Sequence, residues 1–216
     1  MLILPAINEK TFEETKARFR TAVNLVKDFP EAERWVHIDV TNGTFTTNSF
    51  WNDVGQLPEL KKIADKEKVK IEIHLMVAKP EWVLGDWFQA GADRIIIHHE
   101  AMEFQDNAIM LGGAVVLGII PETPAEKLVT CAKYAKQVLL LAVCPGLSGQ
   151  PFDDKIIGKI KVLRGALPNV TIEIDGGVNK ETGRRLKEAG AQILVSSSFI
   201  WKNNNPVAAF QALRSL

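Results

Sequence analysis

No sign of charge dominates this chain. Over 216 residues, 26 basic side chains meet 26 acidic ones, leaving a formal net charge of zero. Without a basic excess there is no electrostatic footprint for nucleic acid or for an anionic membrane surface, so neither is expected as a partner. Long apolar runs are also missing. Val138–Val143 is among the longest, far short of the ~20 residues that a membrane-spanning helix needs. Cysteine is scarce, and the two present, Cys131 and Cys144, share no metal or redox spacing. Met1–Ala6 lacks a basic stretch ahead of its apolar residues, so no signal peptide is expected and the expected setting is the reduced cytoplasm. There is no low-complexity stretch, long linker or shift in composition. One domain over residues 1–216 is therefore expected, and an apolar content of 46% can fill its core.

What is present is alternation. Short β-branched runs recur at Leu2–Pro5, Trp35–Val40, Val69–Met76, Arg94–His98, Ala114–Ile119, Val138–Val143, Val170–Ile174 and Ile193–Val195. Amphipathic stretches with helix-start signals separate most of them. Thr11 with Glu14 and Thr123 with Glu126 have capping-box spacing, and Pro124, Pro80 and Pro206 suit first helical positions. Asn179 followed by Glu181 reads as a cap with an acidic first turn. Strands that alternate with helices pair in parallel through right-handed crossovers. Eight such units predict an α/β fold, a single (β/α)8 TIM barrel, with a doubly wound open sheet as its competitor. The stretch Met102–Gly113 is short and ends in Gly112-Gly113, which predicts a stunted fourth helix.

Strands buried on both faces normally read as continuous apolar runs. Three strands here break that rule with one parity. Val36, Ile38 and Val40 alternate with Trp35, His37 and Asp39; Ile71, Ile73 and Leu75 with Glu72, His74 and Met76; Ile172 and Ile174 with Glu173 and Asp175. The aliphatic set is expected to face the helices and the polar set the barrel axis. An inward ionisable group is costly unless paired, hydrogen-bonded or bound to metal. His37, Asp39, His74 and Asp175 all stand near carboxyl-terminal strand ends, the catalytic face of such barrels. Two imidazoles and two carboxylates there form a ligand set for one first-row divalent metal ion. Glu72 and Glu173 lie a layer deeper and read as structural partners for Lys or Arg. His98 reads as lining the same mouth, and His99 and Glu100 as solvated loop residues.

Glycine-rich turns follow the last strands. Pro145-Gly146-Leu147-Ser148-Gly149-Gln150 follows the sixth, Gly176-Gly177 closes the seventh, and Ser196-Ser197-Ser198 follows the eighth. Loops at the end of strands seven and eight, with a short extra helix, form the recurrent phosphate site of this architecture. Backbone N–H groups there favour an anion without a lysine. This predicts phosphate contacts from Gly146, Leu147, Ser148, Gly149, Gly176, Gly177, Ser197 and Ser198.

Taken together, His37-Ile-Asp39-Val, His74-Leu-Met76-Val-Ala-Lys-Pro80-Glu, Ala90-Gly-Ala-Asp93 with His98, Pro145-Gly-Leu-Ser-Gly149-Gln150 and Glu173-Ile-Asp175-Gly-Gly177-Val resemble the ribulose-phosphate 3-epimerase family from about Leu4 to Ile200. The resemblance implies a divalent metal (zinc, iron, manganese or cobalt) held by His37, Asp39, His74 and Asp175, with Asp39 and Asp175 as acid and base. It implies a phosphorylated ketose as substrate, interconverted between D-ribulose 5-phosphate and D-xylulose 5-phosphate. Departures fall on the expected pocket of Ala6, Thr41, Met76 and Leu141. Ala6 stands for the family's serine, Thr41-Asn42 for Met-Asp, Leu141 for a methionine, and Ser197 for a glycine of the phosphate loop. Two alternatives stay open: a 3-epimerase of a ketohexose 6-phosphate such as D-allulose 6-phosphate, and a non-catalytic sugar-phosphate-binding barrel. A metallohydrolase is disfavoured, because the first strand has no His-x-His and no bridging lysine is evident. The oligomeric state, including a homo-oligomer, stays open.

Overall fold

The alternation closes on itself. In the computed structural model, which describes residues 1–103, 114–131, 135–145 and 152–216, eight strands form one parallel ring. They are β1 (Leu2–Ile7), β2 (Trp35–Val40), β3 (Lys70–Leu75), β4 (Arg94–His98), β5 (Val115–Ile119), β6 (Gln137–Leu141), β7 (Thr171–Asp175) and β8 (Ile193–Ser196). Each pairs with its sequence neighbour, and β1 pairs with β8 through Leu2 to Ile193 and Pro5 to Ser196. That last pairing makes the sheet a closed (β/α)8 barrel and excludes the open doubly wound competitor.

The helices are α1 (Phe12–Val26), α2 (Leu57–Lys66), α3 (Leu84–Ala90), α4 (Ala125–Cys131), α5 (Lys155–Ala166), α6 (Lys180–Ala189), α7 (Ser198–Trp201) and α8 (Pro206–Arg214). Several begin where their caps predict. The amide of Glu14 donates to Thr11 Oγ1 at 3.3 Å while the amide of Thr11 donates to Glu14 Oε2 at 3.1 Å, a reciprocal capping box. Asn179 Oδ1 accepts from the amides of Glu181 and Thr182, and Pro206 opens α8. Two start signals are displaced. Pro80 opens only the 3-10 turn Pro80–Trp82, with α3 beginning at Leu84. Pro124 precedes the first residue of α4 rather than occupying it. The stretch expected to hold a stunted fourth helix lies mostly outside the described residues. Among the described residues, no helix is long and apolar enough to cross a membrane.

The aliphatic parity packs outward. Val36, Ile38, Ile71, Ile73, Ile95, Ile97, Ile172 and Ile174 join Phe19, Leu60, Trp87, Leu128, Ile160, Leu186 and Phe210 from the helices in one core. The inward parity fills the barrel unevenly. Leu4, Ala6, Ile193 and Val195 make one apolar patch, and Ile96, Val116, Leu139 and Leu141 make another. Between these two arcs, β2, β3 and β7 place their polar residues.

Candidate active site and metal centre

Parallel register stacks the inward polar residues in two layers. His37 stands opposite Glu72, which stands opposite Arg94; one layer up, Asp39 stands opposite His74. Across the barrel, Glu173 and Asp175 occupy the same two heights on β7. The lower layer is a charge network. Arg94 Nε donates to Glu72 Oε2, Gln137 Nε2 donates to Glu173 Oε2, and Arg94 Nη1 donates to Gln137 Oε1 at 3.0 Å. Burial raises the pKa of both glutamates, but at Glu72 the Arg94 charge together with the hydrogen bond and charge of His37 outweighs it and holds that carboxyl down at about 2. At Glu173, burial and the adjacent Glu72 charge act together, so its carboxyl is pushed well above the ordinary range. His37, Glu72 and Glu173 also lie close enough to resemble a metal cluster. The guanidinium of Arg94 already supplies the positive charge there, which supports the structural reading of both glutamates.

Among the described residues, no Arg or Lys pairs with the carboxylates of the upper layer. His37 Nε2 lies 3.2 Å from Asp39 Oδ1 and 3.9 Å from Asp175 Oδ2. His74 Nδ1 lies 3.1 Å from Asp39 Oδ1 and 3.4 Å from Asp175 Oδ2. Ligand atoms of all four residues fall within 4.8 Å of one another. Tetrahedral bonds of ~2.0–2.2 Å place neighbouring donors roughly 3.3–3.6 Å apart, so the donor set fits one divalent ion in both chemistry and spacing. Burial by itself would push both imidazoles down. Hydrogen bonds to Asp39 and Glu72 carry His37 well above its ordinary value, and those to Asp175 and Asp39 raise His74. Asp39 is held far below the carboxylate range, because its bonds to the two histidines overcome its own burial. A site that attracts protons this strongly will also attract a cation. On the far side of its ring, His37 Nδ1 meets Glu72 Oε1 at 2.7 Å. Glu72 thereby selects the tautomer whose Nε2 lone pair faces the quartet.

Above the quartet opens a solvent-filled mouth. Asp39, Asp175, Met76, Leu141, Gly176, Gly177, Ser197 and Ser198 line it, as the sequence predicts. Gly176 and Gly177 have φ of +101° and +65°, and a Cβ on Gly176 would meet Val143 Cγ2 at 2.5 Å, so the turn requires glycine. Gly146, Leu147, Ser148 and Gly149 lie outside the described residues.

Residues 15–201 match the ribulose-phosphate 3-epimerase family. The chain belongs to that family. Among its curated relatives, a ribulose-phosphate 3-epimerase of Chlamydia muridarum is 33% identical over 79% of this chain and 77% of its own length. Another, from Eremothecium gossypii, is 29% identical over 93% and 86%. The family is one of epimerases, enzymes of the isomerase class. A solved structure of 3-hexulose-6-phosphate synthase superposes with a TM-score of 0.69 at 19% identity, covering 100% of this chain and 99% of the other. Orotidine 5'-phosphate decarboxylase from Pyrococcus horikoshii gives 0.65 at 17%, over 99% and 97%. At these identities the likeness concerns the fold.

Several expected positions of this family member fall elsewhere than the sequence suggests. Ala6 packs in the barrel interior with Leu4 and Val195, beside the mouth but not lining it. Thr41 is fully buried behind the mouth, its hydroxyl bonded to Thr46 Oγ1 at 2.7 Å and Asn48 O at 2.9 Å. Asn42 is exposed, and its Oδ1 accepts from the amide of Thr44. The expectation of solvated His99 and Glu100 is corrected. Both sit in the 3-10 turn His99–Ala101; His99 is 5% exposed, and Glu100 Oε1 accepts from the amide of Ile120 at 3.1 Å. The turn folds back under the β5 end instead of leaving the barrel. Sequence reasoning also missed Asn8, Phe50, Val143, Cys144, Val178, Val195 and Ser196 as lining residues. Asn8 has a traceable cause: β1 runs two residues beyond the expected Pro5, which brings Asn8 to the strand end.

Proposed function

We propose that this barrel interconverts D-ribulose 5-phosphate and D-xylulose 5-phosphate at C3, with Asp39 and Asp175 as the acid–base pair and one divalent ion held by His37, Asp39, His74 and Asp175. The observation that carries this reading is the convergence of two carboxylates, backed by two buried imidazoles, on the floor of a mouth rimmed by the Gly176-Gly177 turn and the Ser197-Ser198 loop.

Inverting a carbon next to a ketone requires proton removal from one face and delivery to the other. One of the two carboxylates accepts the C3 proton, and the electron pair delocalises onto the C2 carbonyl oxygen as an ene-diolate. The other, protonated, returns a proton to the opposite face. The pair then holds its proton on the reverse partner and resets by exchange with water. Asp39 and Asp175 keep 10% and 14% side-chain exposure, enough for that exchange. General acid–base transfer of this kind contributes ~10²–10⁴-fold. A bound divalent ion supplies Lewis-acid stabilisation of the charge that builds on the substrate oxygens. Met76 and Leu141 keep the reacting end of the mouth apolar. Backbone N–H groups of the Gly176-Gly177 turn and the Ser197-Ser198 loop suit the substrate phosphate, with the Gly146–Gly149 loop assigned to the same anion by resemblance.

The test is proton exchange. Metal-replete protein incubated with D-ribulose 5-phosphate in deuterated water should lose the C3 proton signal as D-xylulose 5-phosphate appears. No exchange with any ketose phosphate overturns the acid–base assignment, and binding without exchange makes the barrel a carrier. Exchange confined to a ketohexose 6-phosphate keeps the chemistry and replaces the substrate.

A further inference from the structure

The second metal-site imidazole has a less obvious support than the first. His74 Nε2, on the far side of the ring from the quartet, meets no carboxylate. It lies 2.8 Å from His98 Nε2, the rings stacked at 5.0 Å between centroids. Both histidines are fully buried. Beyond them, His98 Nδ1 lies 3.5 Å from Glu100 Oε2, and neither of those two atoms has a hydrogen-bond partner among the described residues. The chain Glu100–His98–His74 runs from the β5 end to the quartet, and the mechanism above does not use its first two members.

We propose that Glu100 and His98 are positioning residues that fix the tautomer and ring orientation of His74, so that its Nδ1 lone pair faces the cation site. The proposal rests on the reading of the quartet as a divalent-ion site. Two facing ring nitrogens at 2.8 Å form a hydrogen bond only if one carries the proton and the other does not. Glu100 decides which. Its carboxylate accepts only, so it selects the His98 tautomer protonated at Nδ1. That leaves His98 Nε2 bare, and His98 therefore accepts from His74 Nε2–H. His74 Nδ1 is then the bare nitrogen, 3.1 Å from Asp39 Oδ1 and 3.4 Å from Asp175 Oδ2, where a ligand atom is needed. The opposite ordering points the bare Nδ1 of His98 at a carboxylate and puts the His74 proton where the cation would sit. His37 reaches its orienting carboxylate, Glu72, directly; His74 reaches Glu100 through one more ring.

Two features hold the relay in place. The amide of Ile120 ties Glu100 to the end of β5. The ring of Phe45, from the loop after β2, covers His98 at 5.2 Å between centroids.

The experiment titrates metal-free protein with cobalt(II) in competition with a chromogenic chelator, alongside the cobalt absorption spectrum and the melting temperature of the metal-free chain. Losing an outer partner of a ligand histidine typically costs 10–100-fold in metal affinity, and His98→Leu and Glu100→Ala should each lose on the order of that amount. Metal-free melting should change little for His98→Gln; Glu100→Ala gives up its bond to the Ile120 amide and melts lower, so its affinity is read well below that melting temperature. His98→Gln, whose amide oxygen can still accept from His74, should recover most of the affinity and the parental spectrum. If His98→Leu does not fold, Glu100→Gln and His98→Gln carry the comparison. Unchanged affinity in folded Glu100→Ala, or a loss that His98→Gln does not restore, overturns the relay. Should the parent bind cobalt and His37→Ala abolish that binding while the relay variants bind normally, only the relay fails. Should the parent bind none, the quartet reading falls with it.

Discussion

Replacing Arg94 with methionine tests the polar network beneath the site. The guanidinium donates to Glu72, bonds Gln137 at 3.0 Å, lies 4.0 Å from Glu173 and stacks on Trp35 at 4.0 Å. Methionine keeps an unbranched apolar stem against Trp35 but removes the guanidinium that pairs with Glu72 and approaches Glu173. Glu72, fully buried, is left with His37 as its partner. Removing one member of a buried ion pair costs ~3–5 kcal/mol. Arg94 keeps 12% side-chain exposure, so some hydration reaches the network and the lower figure, ~3 kcal/mol, is expected. For a chain of this size each kcal/mol moves Tm by ~2–4 °C, giving a fall of ~6–12 °C. The assay is urea unfolding of metal-free protein, read as a lower midpoint at constant slope. Adding Glu72→Gln removes the stranded charge, so the double variant should be more stable than the two single losses predict. A loss under ~1 kcal/mol, the size of a surface pair, or strict additivity of the two changes, would refute the reasoning.

Asp39→Asn and Asp175→Asn should each lower kcat by at least ~10² with circular dichroism unchanged; near-normal turnover in either removes the two-carboxylate mechanism. Chelation should abolish activity while leaving helical circular dichroism intact, because the apolar core closes around the barrel without the ion; loss of the fold on chelation would make the ion structural. Glu100 is one pH-dependent element, beside Asp39 and Glu72. Burial raises its pKa, but contacts with His98 and Thr123 outweigh this and hold it at about 2 against an ordinary 4.5. The stability it contributes is therefore complete above pH 4.5 and lost as pH falls from there toward 2. Glu100→Gln should flatten that part of the stability curve, and an identical acid limb in the variant counts against the assignment. Gly176→Ala puts a Cβ 2.5 Å from Val143 Cγ2 at φ +101° and should cost of order 1–3 kcal/mol, with a raised KM for the phosphorylated sugar. Unchanged KM would detach that turn from the phosphate.

Side-chain direction along a strand is a local property, so the inward parity of His37, Asp39, His74, Glu72, Glu173 and Asp175 was legible without any knowledge of neighbouring strands. The same holds for the Thr11 and Asn179 caps, which involve residues three positions apart or closer. Tertiary structure decided what parity leaves open. That His98 reaches His74, that Glu100 turns back beneath the β5 end, and that Arg94 is the cation serving both deep glutamates depend on distances across and around a closed barrel. Thr41 shows the same divide. Its place after the second strand suggested the pocket, but the backbone of the following loop claims its hydroxyl and keeps it behind the mouth. Pattern along the chain assigns a side chain to a face. Which groups meet on that face follows from register and ring closure, long-range constraints that no short stretch of sequence contains.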